Sequence, residues 1–269
     1  MMRRGSWVPV LLSTSAATLL LALLALPVLA LLLRASPAAL LEHLGHRDVR
    51  EALVLSLVTS AVATVILAVL GTPLAWILAT RRLPAQRFVD ALVHLPMVLP
   101  PTVAGFALLM AFGRAGLAGR ALSAFGIRLP FTTAAVVVAQ MFMAAPFFIA
   151  SARAGFAAVE VRYREAAATL RADEAWTFTQ VVLPLSRRAL VAGLAMSWGR
   201  ALGEFGATIV FAGNLPGVTR TMPLAVYVAM ESDLDAAVAL SVVLLVMAFV
   251  LLLGLRIAPA DLFGGRRDA

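Results

Sequence analysis

The sequence contains no lysine and no cysteine. Without lysine there can be no GxxxxGK(S/T) phosphate loop, no Schiff-base amine and no pyridoxal phosphate anchor. The chain therefore cannot bind and hydrolyse ATP by the usual route. Without cysteine there is no disulfide, no iron–sulfur cluster and no thiol nucleophile. Histidine is restricted to His43, His46 and His94, which argues against a multi-histidine metal site. His43 and His46 stand three apart in a loop and read as polar surface, so no metal is expected. Charge is also scarce: 13% of residues carry one, against about 25% in a soluble domain.

Apolar residues dominate instead. They make up 62% of the 269 residues, and the mean hydropathy is +0.97. Soluble domains average about 45–50%, and this excess could not be covered in water. The reading is an all-α integral membrane protein. Six apolar runs are each long enough to cross a core of about 30 Å. They are 7–33, 53–80, 88–112, 132–156, 189–212 and 236–257. The first exceeds the length of a signal-peptide core and reads as a retained helix. The third is interrupted by Pro96, Pro100 and Pro101. No second soluble domain or internal repeat is evident, so 1–269 reads as one transmembrane unit.

All 22 basic residues are arginine, and the net charge is +8. Six spans put both termini on one side. Fourteen arginines fall on that side, seven on the other, and Arg200 inside the fifth span. Cytoplasmic loops carry the excess of positive charge, so both termini are expected in the cytoplasm. The same bias accounts for the basic composition without nucleic acid.

The largest loop, 157–188, then faces the cytoplasm. Tyr163, Ala166, Ala167 and Leu170 repeat with helical spacing and define one apolar face. A second short helix is expected over 172–182, with Asp173 and Glu174 in its first turn. Pro184 follows.

Within this loop, Glu165-Ala166-Ala167 followed by Leu183-Pro184 resembles the EAA loop of ABC-transporter permease subunits. Val181 fits the aliphatic position of that pattern. Arg171 stands where the family usually has glycine. Either Arg171 accepts a left-handed backbone, at roughly 1–2 kcal/mol, or the turn differs. A second stretch runs from Arg200-Ala-Leu-Gly-Glu204-Phe-Gly-Ala-Thr208 through Asn214-Leu-Pro-Gly-Val-Thr219-Arg220-Thr221. With His94-Leu-Pro-Met-Val-Leu-Pro100-Pro101-Thr102-Val-Ala-Gly105, it is similar to the permeases of molybdate importers. Sulfate and tungstate permeases are close relatives. The resemblance covers about residues 50–257.

The resemblance implies a type I ABC importer permease fold in the inner membrane of a bacterial cell. Two copies would form an oxyanion pore. A separate ATPase would bind ATP and magnesium, leaving this chain no cofactor and no catalytic residue of its own. A periplasmic or lipid-anchored binding protein would deliver the anion. Arg162, Tyr163, Glu165, Ala166, Ala167, Leu170, Arg171, Asp173, Leu183 and Pro184 would couple to the ATPase.

Other residues are candidates for the pathway. Arg200, about 16 Å along the fifth span at 1.5 Å per residue, would lie near mid-membrane. It can pair with Glu204 at i, i+4. The pair reads equally as a pore-facing cation with partial compensation or as a structural ion pair. Pro100, Pro101, Thr102, Gly105 and Thr208 are candidate pore or gate positions. Asn214, Thr219, Arg220 and Thr221 would lie at the outer face. Gly199 and Gly203 form a GxxxG pair suited to close helix packing.

Two other classes fit less well. A secondary transporter would need coupling-ion carboxylates in several spans, and Glu204 is the only acidic residue deep in one. An intramembrane enzyme would need a catalytic constellation, such as paired aspartates or HExxH, and none is present.

Overall fold

The computed structural model describes residues 7–81 and 84–257. Arg3, Arg4, Arg82, Arg266 and Arg267, which enter the charge bias, lie outside them. The described residues form α-helices and one π-helical turn, with no strand. In chain order the helices are α1 (Trp7–Arg34), α2 (Pro37–Gly45), α3 (Arg47–Thr80), α4 (Gln86–Val98), α5 (Pro101–Phe112), α6 (Gly119–Ala124) and α7 (Thr133–Ala157). There follow α8 (Val161–Thr169), α9 (Glu174–Thr177), the π-turn Phe178–Val182, α10 (Leu183–Leu202), α11 (Gly206–Phe211), α12 (Met222–Ser232) and α13 (Leu234–Ile257).

Five helices are long and apolar enough to span a membrane, and a bent pair raises the number to six. Four expected runs coincide with α1, α3, α7 and α13 to within a few residues. The other two differ. The third is two helices, α4 and α5, meeting at 120°. Pro96 stays inside α4, and the break falls at Leu99 and Pro100, both extended, with Pro101 opening α5. Proline tolerates the first helical turn but forces the residue before it out of helical geometry.

The fifth run begins at Glu174 rather than near 189 and ends at Leu202. Pro184 does not end the preceding helix. A proline ring clashes with the carbonyl four residues back. The π-turn precedes it, closed by the Leu183 amide donating to the Phe178 carbonyl. The extra residue of a π-turn relaxes this register, and one continuous rod results.

Packing centres on α7. Its buried positions Ala135, Ala139, Met143, Phe148, Ala152 and Phe156 recur every four or five residues. Phe148, Ala152 and Phe156 pack against α3 and α10, and Ala135, Ala139 and Met143 pack against α5 and α11. Ser151 Oγ donates to the Ala189 carbonyl (2.7 Å), and Ser186 Oγ donates back to that of Gly155 (3.1 Å). Small residues allow close approach, and hydroxyls bond across helices. At the end of α7 toward α8, Trp76 of α3, Phe156 of α7 and Phe178 of the π-turn form a ring cluster. Their centroids are 5.1–5.7 Å apart, within the range for favourable aromatic pairs.

Phe156 is only 1% exposed and touches both other rings. Phe156→Ala is expected to cost about 3–5 kcal/mol, read as a lowered unfolding midpoint of the detergent-solubilised protein. Leu20→Ala, on the outward surface of α1, should leave that midpoint unchanged.

Candidate functional site

Three regions hold the residues singled out by the sequence. The first is the loop after α7. Helix α8 carries Arg162, Tyr163, Glu165, Ala166 and Ala167. The expected apolar face is mostly uncovered: Ala167 is buried, while Tyr163, Ala166 and Leu170 are exposed. Arg162 pairs with Glu160 at 2.7 Å and lies over the Tyr163 ring. The Glu165 side chain has no partner among the described residues.

The turn after α8 is a Schellman motif. The Arg171 amide donates to the Ala168 carbonyl (2.9 Å), and the Ala172 amide to that of Ala167 (3.0 Å). This motif places its C′ residue in the left-handed region. Arg171 sits there with φ 58°, so arginine accepts the conformation that glycine adopts without penalty. Asp173 is the N-cap of α9 rather than part of its first turn. Its Oδ1 accepts from the Trp176 amide at 2.6 Å. Leu183 and Pro184 open α10.

Sequence reasoning missed what fastens this loop. Arg81, after α3, donates to both carboxylate oxygens of Glu174 at 2.8 Å. The Arg164 guanidinium lies 6.0 Å from the Trp76 ring centroid. Outside the loop, Asp90 of α4 pairs with Arg153 of α7. Each joins residues distant in sequence, and no local spacing signals them.

The second region is where two helix breaks meet. Helix α10 ends at Leu202, and α11 starts at Gly206. Arg200 is therefore in the last turn of a long helix, not mid-helix, about 39 Å from Glu174 at 1.5 Å per residue. Its Nη2 lies 2.6 Å from Glu204 Oε2. Glu204 Oε1 accepts from the Ala207 amide at 2.7 Å. The cation thus sits at a helix C-terminus and the carboxylate at a helix N-terminus, the favourable end for each. The Glu204 side chain is 0% exposed and that of Arg200 25%.

Helix α5 lies directly on this junction. A Cβ at Gly105 would come within 2.7 Å of the Ala207 carbonyl oxygen, and one at Gly206 within 2.5 Å of Pro101 Cβ. The structure thus brings Pro101 and Gly105 against the segment holding Glu204 and Thr208. Thr208 is buried, with its hydroxyl unpartnered. Pro100 and Thr102 are exposed. Gly199 has open space where a Cβ would be, and Gly203 meets only its own helix. The close packing expected of that pair is made by Gly206 instead.

The third region is the turn-rich segment between α11 and α12. Arg220 Nε donates to Asn214 Oδ1, and Thr219 Oγ1 accepts from the Leu215 amide, both at 2.9 Å. Thr219 and Thr221 are fully buried; Thr219 holds the segment together from within, while the Thr221 hydroxyl has no partner among the described residues. Thr221 is the N-cap residue of α12, and the Thr-Met-Pro run there matches a helix start. Among the described residues, no group of three or more metal-ligating side chains occurs.

The family model described as binding-protein-dependent transport system inner membrane component matches residues 71–258. The chain belongs to that family. It is a transport subunit and not an enzyme. It is 43% identical over 230 residues to the molybdenum transport system permease protein ModB of Mycobacterium tuberculosis, covering 86% of this chain and 87% of that one. It is 36% identical over 234 residues to the sulfate transport system permease protein CysT of Salmonella typhimurium, covering 86% and 84%. A bacterial alginate ABC transporter, solved with a pentasaccharide-bound periplasmic protein, superposes with TM-score 0.77 over 95% of both chains at 15% identity. The fold is therefore that of a type I ABC importer permease.

Removing one partner of a buried ion pair costs about 3–5 kcal/mol. Arg200→Met, which strands the Glu204 charge, is expected to lose that much. Glu204→Gln keeps an oxygen for the Ala207 amide and should cost about 1–3 kcal/mol. The double variant should lose less than the sum. Unfolding midpoints of the four proteins in detergent measure this; strict additivity would mean that the pair is not coupled.

Proposed function

We propose that this chain is the pore-forming subunit of an ATP-driven molybdate importer in the inner membrane of a bacterial cell, with both termini cytoplasmic. The observation that carries this reading is the 43% identity to ModB across nearly the whole of both chains. The likeness to CysT favours sulfate as the second reading. Tungstate, another tetrahedral dianion, is the third.

In this reading two copies enclose the pathway, and each receives an ATPase subunit on α8. ATP and its magnesium reside on the ATPase, consistent with a chain that has no lysine. A binding protein delivers the anion to the outer mouth. Tyr163, Ala166 and Leu170 supply an apolar surface, and Glu165 a free carboxylate, for a groove of the ATPase. Arg171 and Asp173 fix the angle between α8 and the rod 174–202. Closure of the ATPase dimer pulls α8, and the rod carries that displacement to Arg200 and Glu204. There α11 rests on α5 through Gly105 and Gly206, so a shift of α10 changes how Pro100, Pro101 and Thr102 present to the pathway. The partly exposed Arg200 offers a weak, compensated attraction to a passing dianion. Release stays fast because Glu204 offsets the charge.

Two measurements test the proposal. Cells lacking the chain should lose radiolabelled molybdate uptake, and in cells that have it excess sulfate should not compete. Preserved molybdate uptake with lost sulfate uptake would replace the substrate and keep the architecture. Glu165→Arg should leave the protein in the membrane but reduce ATPase co-purification by at least tenfold. Co-purification at the normal level would remove α8 from the docking surface.

A further inference from the structure

The segment between α5 and α7 folds into a lobe with an unusual charge balance. No aspartate or glutamate occurs between Asp90 and Glu160, yet Arg114, Arg120 and Arg128 all fall there. Two of them, Arg114 and Arg128, line one cavity of about 280 Å³ together with Ser123, Phe112 and Phe131. Neither guanidinium has an ion-pair or hydrogen-bond partner among the described residues. Both are exposed to solvent at the cavity, so their mutual repulsion is screened but not abolished, and an anion held in the cavity relieves it. A cavity of this size exceeds the volume of a tetrahedral oxyanion and leaves room for part of its hydration.

The lobe is built rather than loose. The Leu117 and Ala118 amides return to the carbonyls of Met110 and Ala111, and Ile127 to that of Leu122. Phe131 holds a left-handed backbone, φ 63°, and its amide donates to the Phe211 carbonyl at the end of α11. Thr132 caps α7 through Oγ1, which accepts from the Ala135 amide. The cavity floor, Leu109 and Phe112, packs on the apolar cluster shared with Ala207 and Phe211. This places the cavity at the opposite end of α7 from α8, about 37 Å away at 1.5 Å per residue.

We infer that this cavity is a binding site for a tetrahedral oxyanion, held by Arg114 and Arg128. Guanidinium groups present paired donors that suit such an anion. The shared chemistry has two sources, a free inorganic oxyanion or the phosphate of a lipid headgroup. The inference goes beyond the transport reading and does not need it, because binding is measured without transport.

The test uses the full-length chain in nanodiscs of phosphatidylcholine, titrated by calorimetry with sodium molybdate and sodium sulfate. Arg114→Gln/Arg128→Gln should weaken binding by tenfold or more, with each single variant between. Arg120→Gln, which removes the same charge outside the cavity, should stay within twofold. That pattern supports the site with a free oxyanion as ligand. In a second arm, native mass spectrometry follows phosphatidylglycerol carried through purification. Retention that depends on Arg114 and Arg128, with no inorganic anion bound, supports the same site with a headgroup as ligand. The inference is overturned if neither ligand depends on these two arginines, or if Arg120→Gln weakens binding as much as the double variant.

Discussion

An interrupted helix in an apolar setting leaves backbone amides and carbonyls without partners, and hydrocarbon supplies none. Such breaks persist only where protein covers them or water reaches them. Here two interruptions, at Leu99-Pro100 and at 203–205, are set against each other. Gly206 admits Pro101, and Gly105 admits the backbone of Ala207. Glu204 takes up the Ala207 amide and faces Arg200 across the gap. Remove either glycine and α5 must move off α11. Remove the carboxylate and a cation is left at the end of α10 with nothing to neutralise it. The route of the chain through 86–112 and 174–211 depends on this one junction.

The opposite end of the rod is governed by a different economy. Surface ion pairs are individually weak, about 0–1 kcal/mol, so Arg81–Glu174 alone cannot anchor the loop. The ring cluster of Trp76, Phe156 and Phe178 adds buried area that a single ion pair lacks. Arg164 lies beside the same tryptophan. These contacts tie the start of the rod to α3 and α7 while leaving the outer face of α8 bare. The Schellman turn at Arg171 carries a backbone cost that its own hydrogen bonds offset only in part. A fixed, uncovered helix on a stiff arm is what a docking element requires.

The spans that pack as plain apolar cylinders were readable from hydropathy alone, because length and composition determine them. The deviations lie where tertiary contacts override a local signal. Pro184 reads as a terminator, but a π-turn absorbs its ring and the helix continues. Pro96, Pro100 and Pro101 read as one bent span, yet only the Leu99-Pro100 step breaks. The cause is that two successive prolines remove helical geometry before Pro101, while Pro96 is accommodated in α4. The Arg200–Glu204 pair was legible from its i, i+4 spacing, but its meaning was not. It bridges two helices rather than decorating one, and the helix end became visible only with the three residues between Leu202 and Gly206. Asp90–Arg153 and Arg81–Glu174 join positions 63 and 93 residues apart, beyond the reach of any local pattern.

A chain with so few charges uses them at ends and joints. Of the described ion pairs, one joins α4 to α7, one joins the start of α9 to the residue after α3, and one spans the gap between α10 and α11. The last two sit where a helix stops, and helix ends are where a buried backbone most needs compensation; Asp90 and Arg153 lie inside α4 and α7. Between those points α7 and α10 are held by small residues and by serine hydroxyls bonded across the pair. Close packing along the length makes the two helices move as one body, so a displacement at one end reaches the other. That division of labour suits a subunit whose proposed energy source acts at one end and whose candidate gate lies at the other.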